Sequence, residues 1–271
     1  MTKNTGSMNK RVFIITFFSF FVMANCQQPP ASKSETPLKP EKKTIPPQSS
    51  ETDKKPSKKL IPLTDENLVE ELTKYGNENR ETLVVMKTPK GVMTIQLYEN
   101  TPLHRANFIR LIKNGFYNGT EFYRVINHFM IQGGDSDGFE RQYVKQKMGT
   151  YTLPAEFRKE NIHKKGALSM AREYENNPEK RSVAFEFFII QGTRYTAGEL
   201  LGAEQQYHLF ISPVHQEIYK TQGGTPHLDG QHTVFGQVIE GLEVIDSLAA
   251  VTVDEGNWPI EKMSIDLEIR D

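Results

Sequence analysis

From residue 83 onward the sequence repeats one pattern, in which short apolar runs with a period of two are separated by turn-forming residues. A period of two places alternate side chains on opposite faces of a strand, which is typical of a half-buried sheet. Residues 83–87 and 92–98 are joined by T-P-K-G, which predicts a hairpin. Further strands are predicted at 121–125, 129–132, 166–170, 187–191, 234–238 and 264–269. Many short strands and few helices indicate a mainly antiparallel sheet, closed or sandwiched around one core.

Two segments outside this strand pattern predict helices. The first covers 64–76, where Thr64 can cap the first turn and Gly76 can end the helix. The second begins at Pro102, after the hydroxyl of Thr101 as cap, and Gly115 ends it. We therefore expect a short helical extension over 61–82 ahead of the strands.

The first 25 residues have the pattern of a signal peptide. Lys10 and Arg11 precede an apolar run over 12–24, which is shorter than the ~20 apolar residues that span a bilayer. Ala24 and Asn25 then precede Cys26, and this order is similar to a bacterial lipobox, in which the cysteine is lipidated. We predict a signal peptide over 1–25 and a protein lipid-anchored through Cys26 in the cell envelope, in the outer membrane facing the periplasm. The alternative is an ordinary cleaved signal peptide with an incidental cysteine.

A change of composition marks residues 26–60 as a tether. From 27 to 60 the chain contains seven prolines, eight lysines and eight serines or threonines, with almost no large apolar side chain. Such a segment cannot bury enough surface to offset its conformational entropy, which predicts a disordered spacer. Residues 1–60 also hold 11 of the 33 basic and 4 of the 34 acidic residues, which leaves 22 basic and 30 acidic residues in the remainder. The folded part is thus acidic, and we expect no nucleic-acid partner.

Several reactive motifs are better explained as turns. Cys26 is the only cysteine, which excludes a disulfide framework and a thiolate metal cluster in the folded part. G-D-S-D-G at 134–138 matches the G-x-S-x-G elbow of hydrolases, but two flanking carboxylates disfavour a serine alkoxide. His227 and His232 do not share a helical face with a carboxylate. We expect no metal and no cofactor.

Four separate segments resemble a known family. They are F-Y-R-V-I-N-H-F-M-I-Q-G-G-D from Phe122, G-A-L-S-M-A from Gly166, F-E-F-F-I from Phe185 and H-L-D-G-Q-H-T-V-F-G from His227. Their order and spacing closely resemble the cyclophilin family of peptidyl-prolyl isomerases, over 83–271. The resemblance implies an eight-stranded antiparallel β-barrel capped by two helices, near 102–114 and 242–248. A helical insertion over 193–226 is similar to that of envelope cyclophilins of Bacteroidetes-like bacteria.

The resemblance also implies a set of site residues. Rotation about an X–Pro bond has a barrier of ~18–20 kcal/mol, and a cationic donor aimed at the twisted amide nitrogen lowers it. By resemblance that donor is Arg124, and Gln132 orients it and touches the substrate. The slot for the proline ring is implied to consist of Phe129, Met130, Phe188 and Leu228, and the remaining groove positions of Ala171, Arg172, Glu186, His227 and His232.

The chain departs from the family pattern at a few of these positions. Glu186 stands where the family has a hydrogen-bond-donating glutamine, and an ionised carboxylate only accepts. We expect this change to lower catalytic efficiency; the alternative is that Glu186 pairs with Arg172 or Arg181 and orders the groove wall. His227 stands where many eukaryotic members have tryptophan, and 139–143 replaces a glycine-rich connection.

Three functions follow as expectations. The leading one is a peptidyl-prolyl isomerase that acts as a monomer on proline-containing segments of exported proteins, with the membrane as a second partner through the lipid anchor. The second is a non-catalytic prolyl-peptide binder that works as a chaperone or docking module. The third is a passive lipoprotein scaffold in which the insertion does the binding.

Overall fold

The computed structural model describes residues 60–134 and 139–270. The predicted signal peptide, Cys26 and tether residues 26–59 lie outside the described residues. The described residues belong to one compact unit, Pro56–Asp271, and its main hydrophobic core runs from Leu63 to Leu267 within that unit. A unit with its own core can fold alone, so we expect Pro56–Asp271 to fold by itself.

Eight strands form a closed barrel in which all neighbouring pairs are antiparallel. In chain order the strands are β1 (Leu83–Thr88), β2 (Gly91–Leu97), β3 (Thr120–Ile126), β4 (Met130–Gly133), β5 (Ala167–Met170), β6 (Phe187–Ile190), β7 (Val234–Glu240) and β8 (Ser264–Arg270). Around the barrel their order is β6-β4-β3-β8-β1-β2-β7-β5, and β5 pairs with β6 to close it. The sequence prediction of a mainly β, eight-stranded antiparallel barrel is confirmed.

Alternate side chains of the strands fill the barrel. On β1 and β8 the buried residues Met86 and Leu267 lie directly opposite one another, while Lys87 and Glu268 form an ion pair of 2.7 Å on the outer face. Burying an aliphatic side chain of this size contributes roughly 1.5–3 kcal/mol. The period of two in the sequence therefore arises because one face of each of these strands is buried and the other is exposed.

Two helices, α2 (Pro102–Lys113) and α6 (Leu242–Ala249), lie where the sequence predicts the capping helices. Phe108 of α2 meets the rings of Phe187 and Phe235 edge-on, at 5.6 Å and 5.3 Å between centroids. Aromatic pairs favour such edge contacts, so α2 closes the barrel core with oriented rings. Gly115, with a φ of 67°, follows α2 as the sequence predicts.

The cap of α2 differs from the prediction. The Thr101 hydroxyl does not cap the first turn; it donates to the carbonyl of Tyr98. Instead the Glu156 carboxylate, 52 residues away, accepts from the backbone N–H groups of Leu103 and His104, at 3.1 Å and 2.9 Å. A buried carboxylate at a helix N-terminus satisfies two free donors and the helix dipole together.

The first helix, α1 (Leu68–Glu78), also corrects the sequence prediction at both ends. Thr64 belongs to a two-residue strand that pairs in parallel with Gly149–Thr150, and Asn67 occupies the N-cap. Gly76 lies inside α1, where an added Cβ would come within 3.1 Å of the Ala106 side chain of α2. The glycine therefore serves close helix packing rather than helix termination.

Three more helices complete the described part of the chain. The sequence analysis did not predict α3 (Phe139–Met148). The insertion contains α4 (Ala197–Tyr207) and α5 (Pro213–Thr221), which share a small core formed by Ile162, Leu200, Ile211 and Tyr219. Within the described ranges, none of the helices combines the length and apolar character needed to cross a membrane.

Candidate functional site

A groove with a cavity of about 330 Å³ lies beside strands β3, β4, β5 and β6. It brings together ten of the eleven groove residues implied by the sequence. They are Arg124, Phe129, Met130, Gln132, Ala171, Arg172, Glu186, Phe188, Leu228 and His232, and the sequence analysis missed three further lining residues, Glu173, Tyr174 and Val183.

One half of the groove is an apolar slot. Met130, Phe188 and Leu228 are buried there and pack in one cluster. Phe129 lies in the turn before β4, as the period of two requires if it is to share a slot with Met130. Its carbonyl accepts from the N–H groups of Gln191 and Gly192, both at 3.0 Å, which fixes the ring beside the slot.

The other half is polar, and a β-bulge creates it. On β3 the alternation buries Thr120 and Phe122, so a regular strand would bury Arg124 as well. The pairing with β4 shifts register between Phe122 and Arg124. The extra residue turns both Tyr123 and Arg124 away from the core, and Val125 resumes the buried face.

A chain of hydrogen bonds runs through this polar half. Arg124 donates from Nη1 to Gln132 Oε1 at 3.3 Å. Gln132 Nε2 donates to Tyr123 Oη at 2.7 Å, and that hydroxyl donates to Glu186 Oε2 at 2.6 Å. Sequence reasoning missed Tyr123 because only the bulge brings it to the groove side.

The structure places the expected arginine partners of Glu186 elsewhere. Arg172 donates from Nε to the carbonyl of Gln231 at 2.7 Å. Arg181 donates to Thr152 and to Asp65. Glu186 accepts from the Tyr123 hydroxyl at 2.6 Å and from Gln132 Nε2 at 3.4 Å, so within the described residues it helps to order Gln132.

At the far wall, His232 and Tyr174 form a hydrogen-bonded pair. The carbonyl of Met170 lies 3.1 Å from His232 Nδ1, so Nδ1 carries the proton and Nε2 accepts from the Tyr174 hydroxyl at 2.8 Å. Burial, with the neighbouring His163, lowers the pKa of His232 to about 4. The imidazole is therefore neutral at neutral pH. The guanidinium of Arg172 covers the Tyr174 ring at 4.1 Å.

His227 is the implied groove residue that does not line the cavity. Its ring lies between those of Phe129 and Tyr207, with centroid distances of 5.8 Å and 5.2 Å. Burial lowers its pKa. The ring of His227 thus packs against both Phe129, at the slot, and Tyr207, in the insertion.

A second contact fastens the insertion to the slot. Tyr219 of α5 donates to Asp229 at 2.6 Å, and Asp229 accepts from the backbone N–H of His163 at 2.8 Å. The His163 ring stacks on Phe188, with an interplanar angle of 10°. The insertion is therefore connected to Phe188 of the slot through Asp229 and His163.

In the part of the chain that the structure describes, no three histidine, cysteine or carboxylate side chains lie close enough together to hold a metal ion. His227 and His232 each have a separate structural environment, as described above. Residues 135–138 of the hydrolase-like motif lie outside the described residues.

Comparisons with known proteins identify the family of the chain. The family model described as "Cyclophilin type peptidyl-prolyl cis-trans isomerase/CLD" matches residues 83–268. A protein of Staphylococcus saprophyticus named "Putative peptidyl-prolyl cis-trans isomerase" is 36% identical over 196 residues, which cover 70% of this chain and 91% of that protein. A protein of the same name from Staphylococcus aureus (strain COL) is 37% identical over 196 residues, which cover 69% and 92%.

The fold has a counterpart among solved structures. A cyclophilin-type isomerase of Cryptosporidium parvum matches with a TM-score of 0.50 at 23% identity, over 70% of this chain and 98% of that one. At this identity the match supports the fold alone. The family model and the bacterial relatives carry the assignment further: the chain belongs to the cyclophilin-type peptidyl-prolyl cis-trans isomerases.

Proposed function

We propose that Arg124 catalyses isomerisation by donating to the prolyl nitrogen of a peptide whose proline ring occupies the apolar slot. In the twisted amide the nitrogen lone pair is no longer delocalised, so the nitrogen becomes a hydrogen-bond acceptor. A donor that meets it only in that state stabilises the transition state over both planar isomers. A guanidinium suits this role because it stays charged and presents fixed donor directions.

The single observation that carries this proposal is the position of Arg124 beside the apolar slot. Arg124, Phe129, Met130 and Phe188 line one cavity, so a proline seated in the slot lies next to the guanidinium. The hydrogen bond to Gln132 limits the directions that the guanidinium can take. Holding a charged donor ready in this way avoids a reorganisation cost during rotation.

The supporting residues divide between ring binding and contacts with the peptide backbone. Phe129, Met130, Phe188 and Leu228 provide apolar surface for the ring. The Tyr174 hydroxyl lines the same cavity and donates its proton to His232, so its oxygen is available to accept from a peptide N–H. The reaction needs no proton transfer, so we expect activity to be nearly constant between about pH 6 and 9.

We further propose that the clients are exported proteins and that the isomerase works in the cell envelope. This proposal is supported by the sequence: an apolar run after two basic residues, a cysteine in a lipobox-like position and a proline- and lysine-rich tether. Uncatalysed prolyl isomerisation takes tens to hundreds of seconds and can limit folding, which gives such an enzyme a use outside the cytosol as well as inside it.

The direct test follows cis-trans exchange of an X–Pro tetrapeptide in the presence of Pro56–Asp271. We expect Arg124→Ala to lower kcat/KM by about 10²–10³-fold, the usual effect of removing one transition-state donor. Arg80→Ala removes an exposed arginine on the segment between α1 and β1 and serves as the control. Unchanged activity in folded Arg124→Ala would exclude the proposed mechanism.

The same experiment separates the alternative function. A non-catalytic prolyl-peptide binder would bind the tetrapeptide without accelerating exchange, and Arg124→Ala would then change only the affinity. Measuring the tetrapeptide Kd beside the exchange rate distinguishes the two.

A further inference from the structure

We propose that the tip of the insertion, formed by Tyr207, Phe210 and Val214, binds apolar side chains of an unfolded client several residues away from the proline in the groove. The proposal rests on the isomerase function above, because it makes the insertion tip an extension of the same groove. It gives the insertion a role in selecting extended, partly apolar client segments.

The insertion tip exposes three large apolar side chains to solvent. Phe210 is 86% exposed, Val214 69% and Tyr207 45%, and all three lie within eight residues of sequence. Their neighbours Leu209 and Ile211 point the other way, into the small core of the insertion. Clustered exposed apolar side chains mark interaction sites more often than chance surface.

The insertion tip is also held in place. The carboxylate of Glu204 accepts from the backbone N–H of Ile211 at 2.7 Å, and Ser212 caps α5 by accepting from His215. Thr196 and Glu199 form a reciprocal capping box at the start of α4. Phe210 therefore projects from a braced turn, and a braced surface loses less conformational freedom when it binds.

A continuous row of rings links the insertion tip to the slot. Phe129 stacks on His227, and His227 stacks on Tyr207. These two centroid distances place the Tyr207 ring no more than about 11 Å from the Phe129 ring. An extended peptide covers such a distance in at most three to four residues at about 3.3 Å per residue. Phe210 lies three residues further along the chain from Tyr207. A client side chain about five residues from the proline can therefore reach the insertion tip, and a tetrapeptide cannot.

This continuity favours a client chain over other occupants. An anionic membrane attracts surfaces rich in lysine and arginine, whereas residues 197–221 hold three glutamates and one lysine. Three side chains also offer far less than the ~800 Å² per partner that a stable dimer buries. An extended client already held in the groove needs only a small additional contact.

The test compares labelled peptides of about 15 residues that contain one Ala-Pro and carry either Phe or Ser about five residues from it, on the N-terminal or the C-terminal side. Binding to Pro56–Asp271 is measured by fluorescence anisotropy, and tetrapeptide exchange is measured in parallel. The variant is the double substitution Phe210→Ser with Val214→Ser. Val69→Ser, which removes an exposed apolar side chain from α1, is the matched control.

We expect the unchanged protein to bind one Phe peptide about 10-fold more tightly than its Ser counterpart, and the double variant to lose that difference. The Ser peptides and the tetrapeptide should respond alike to both proteins, and Val69→Ser should behave as the unchanged protein. Equal binding of the Phe and Ser peptides by the unchanged protein, or a preference that survives in the double variant, would overturn the proposal.

Two further measurements address the other occupants. Self-association in sedimentation that the double variant abolishes, or cosedimentation of Pro56–Asp271 with phosphatidylcholine–phosphatidylglycerol vesicles that it abolishes, would replace the client with a second copy or a membrane and overturn the proposal. Failure of the isomerase function is distinguishable, because tetrapeptide exchange would then be absent while the peptide preference remained.

Discussion

At the scale of single residues, Glu186 sets the direction of the hydrogen bonds in the groove. A carboxylate can only accept, so the Tyr123 hydroxyl must donate to it. The Tyr123 oxygen is then left to accept from the amide of Gln132, whose carbonyl oxygen consequently faces Arg124. The acid that the sequence predicted would lower catalytic efficiency therefore helps to order the hydrogen bonds to Arg124.

The direction of these hydrogen bonds leads to a prediction for Glu186→Gln. A glutamine can either accept from or donate to Tyr123, so the orientation of Gln132 becomes ambiguous. We expect kcat/KM to fall about 3–10-fold, the effect of weakening one charge-assisted hydrogen bond. Tetrapeptide exchange measures it. Tyr123→Phe should have a similar effect. Combining the two should cost less than the sum of the single effects, because both side chains accept from the amide of Gln132 and contact one another.

An increase in kcat/KM for Glu186→Gln would contradict this ordering role. It would show that repulsion between the carboxylate and the substrate carbonyl outweighs the ordering of Gln132. Tyr143→Phe, which alters an exposed tyrosine of α3, is the control for the tyrosine substitution.

The neutral His232 makes stability depend on pH. Burial lowers its pKa from 6.5 to about 4, so between these values the unfolded chain binds a proton that the folded protein does not. Stability from this residue is complete above pH 6.5 and is lost as the pH falls towards 4, by up to about 3 kcal/mol at 1.36 kcal/mol per unit. Urea unfolding at pH 7 and pH 4.5 should show a smaller acid loss for His232→Gln than for the unchanged protein. If His232→Gln and the unchanged protein lost the same stability between pH 7 and pH 4.5, the proposed role of His232 would be refuted.

At the scale of elements, the N-terminus of α2 depends on a distant carboxylate. Glu156 accepts from two backbone N–H groups of α2 and from the ring of buried His104, at 2.7 Å from Nδ1. Removing it leaves these donors buried without their acceptor. We expect Glu156→Ala to lower the free energy of unfolding by about 2–4 kcal/mol in urea unfolding. Glu179→Ala, at an exposed and loosely paired glutamate, should change it by less than about 0.5 kcal/mol.

Some of these elements could be predicted from the sequence, and others could not. The alternation of apolar residues in 264–269 and in the other runs reflects local geometry, so the barrel strands were predictable from it. The slot residues came instead from the resemblance of four segments to the cyclophilin family. Tyr123 reaches the groove through a bulge, and Glu156 caps a helix 52 residues away. Both depend on which strands and loops become neighbours, and no local pattern records that. Tyr174 was missed because it lies in a polar segment without a period.

At the scale of the whole molecule, we expect attachment to the membrane to depend on Cys26. Cys26 is the only cysteine and thus the only site for thioether lipidation. We expect Cys26→Ser to move the protein from the membrane to the soluble fraction, because one covalent lipid anchor is the attachment that the sequence predicts. Cell fractionation measures this, with sequencing of the N-terminus to exclude an uncleaved precursor. Persistent sedimentation of a cleaved Cys26→Ser protein with membranes would refute the lipoprotein prediction.

The closed barrel has a consequence for a protein that handles unfolded chains. Every barrel strand has a paired neighbour on each side, although β3 and β8 pair with one another over only two residue pairs. An unfolded polypeptide carries unpaired backbone groups and adds readily to an open sheet edge, where it can seed cross-β growth. The closed barrel offers a client no strand that lacks a neighbour on one side. The client is held instead by the groove and the insertion tip, and it can leave after each turnover without having joined the barrel sheet.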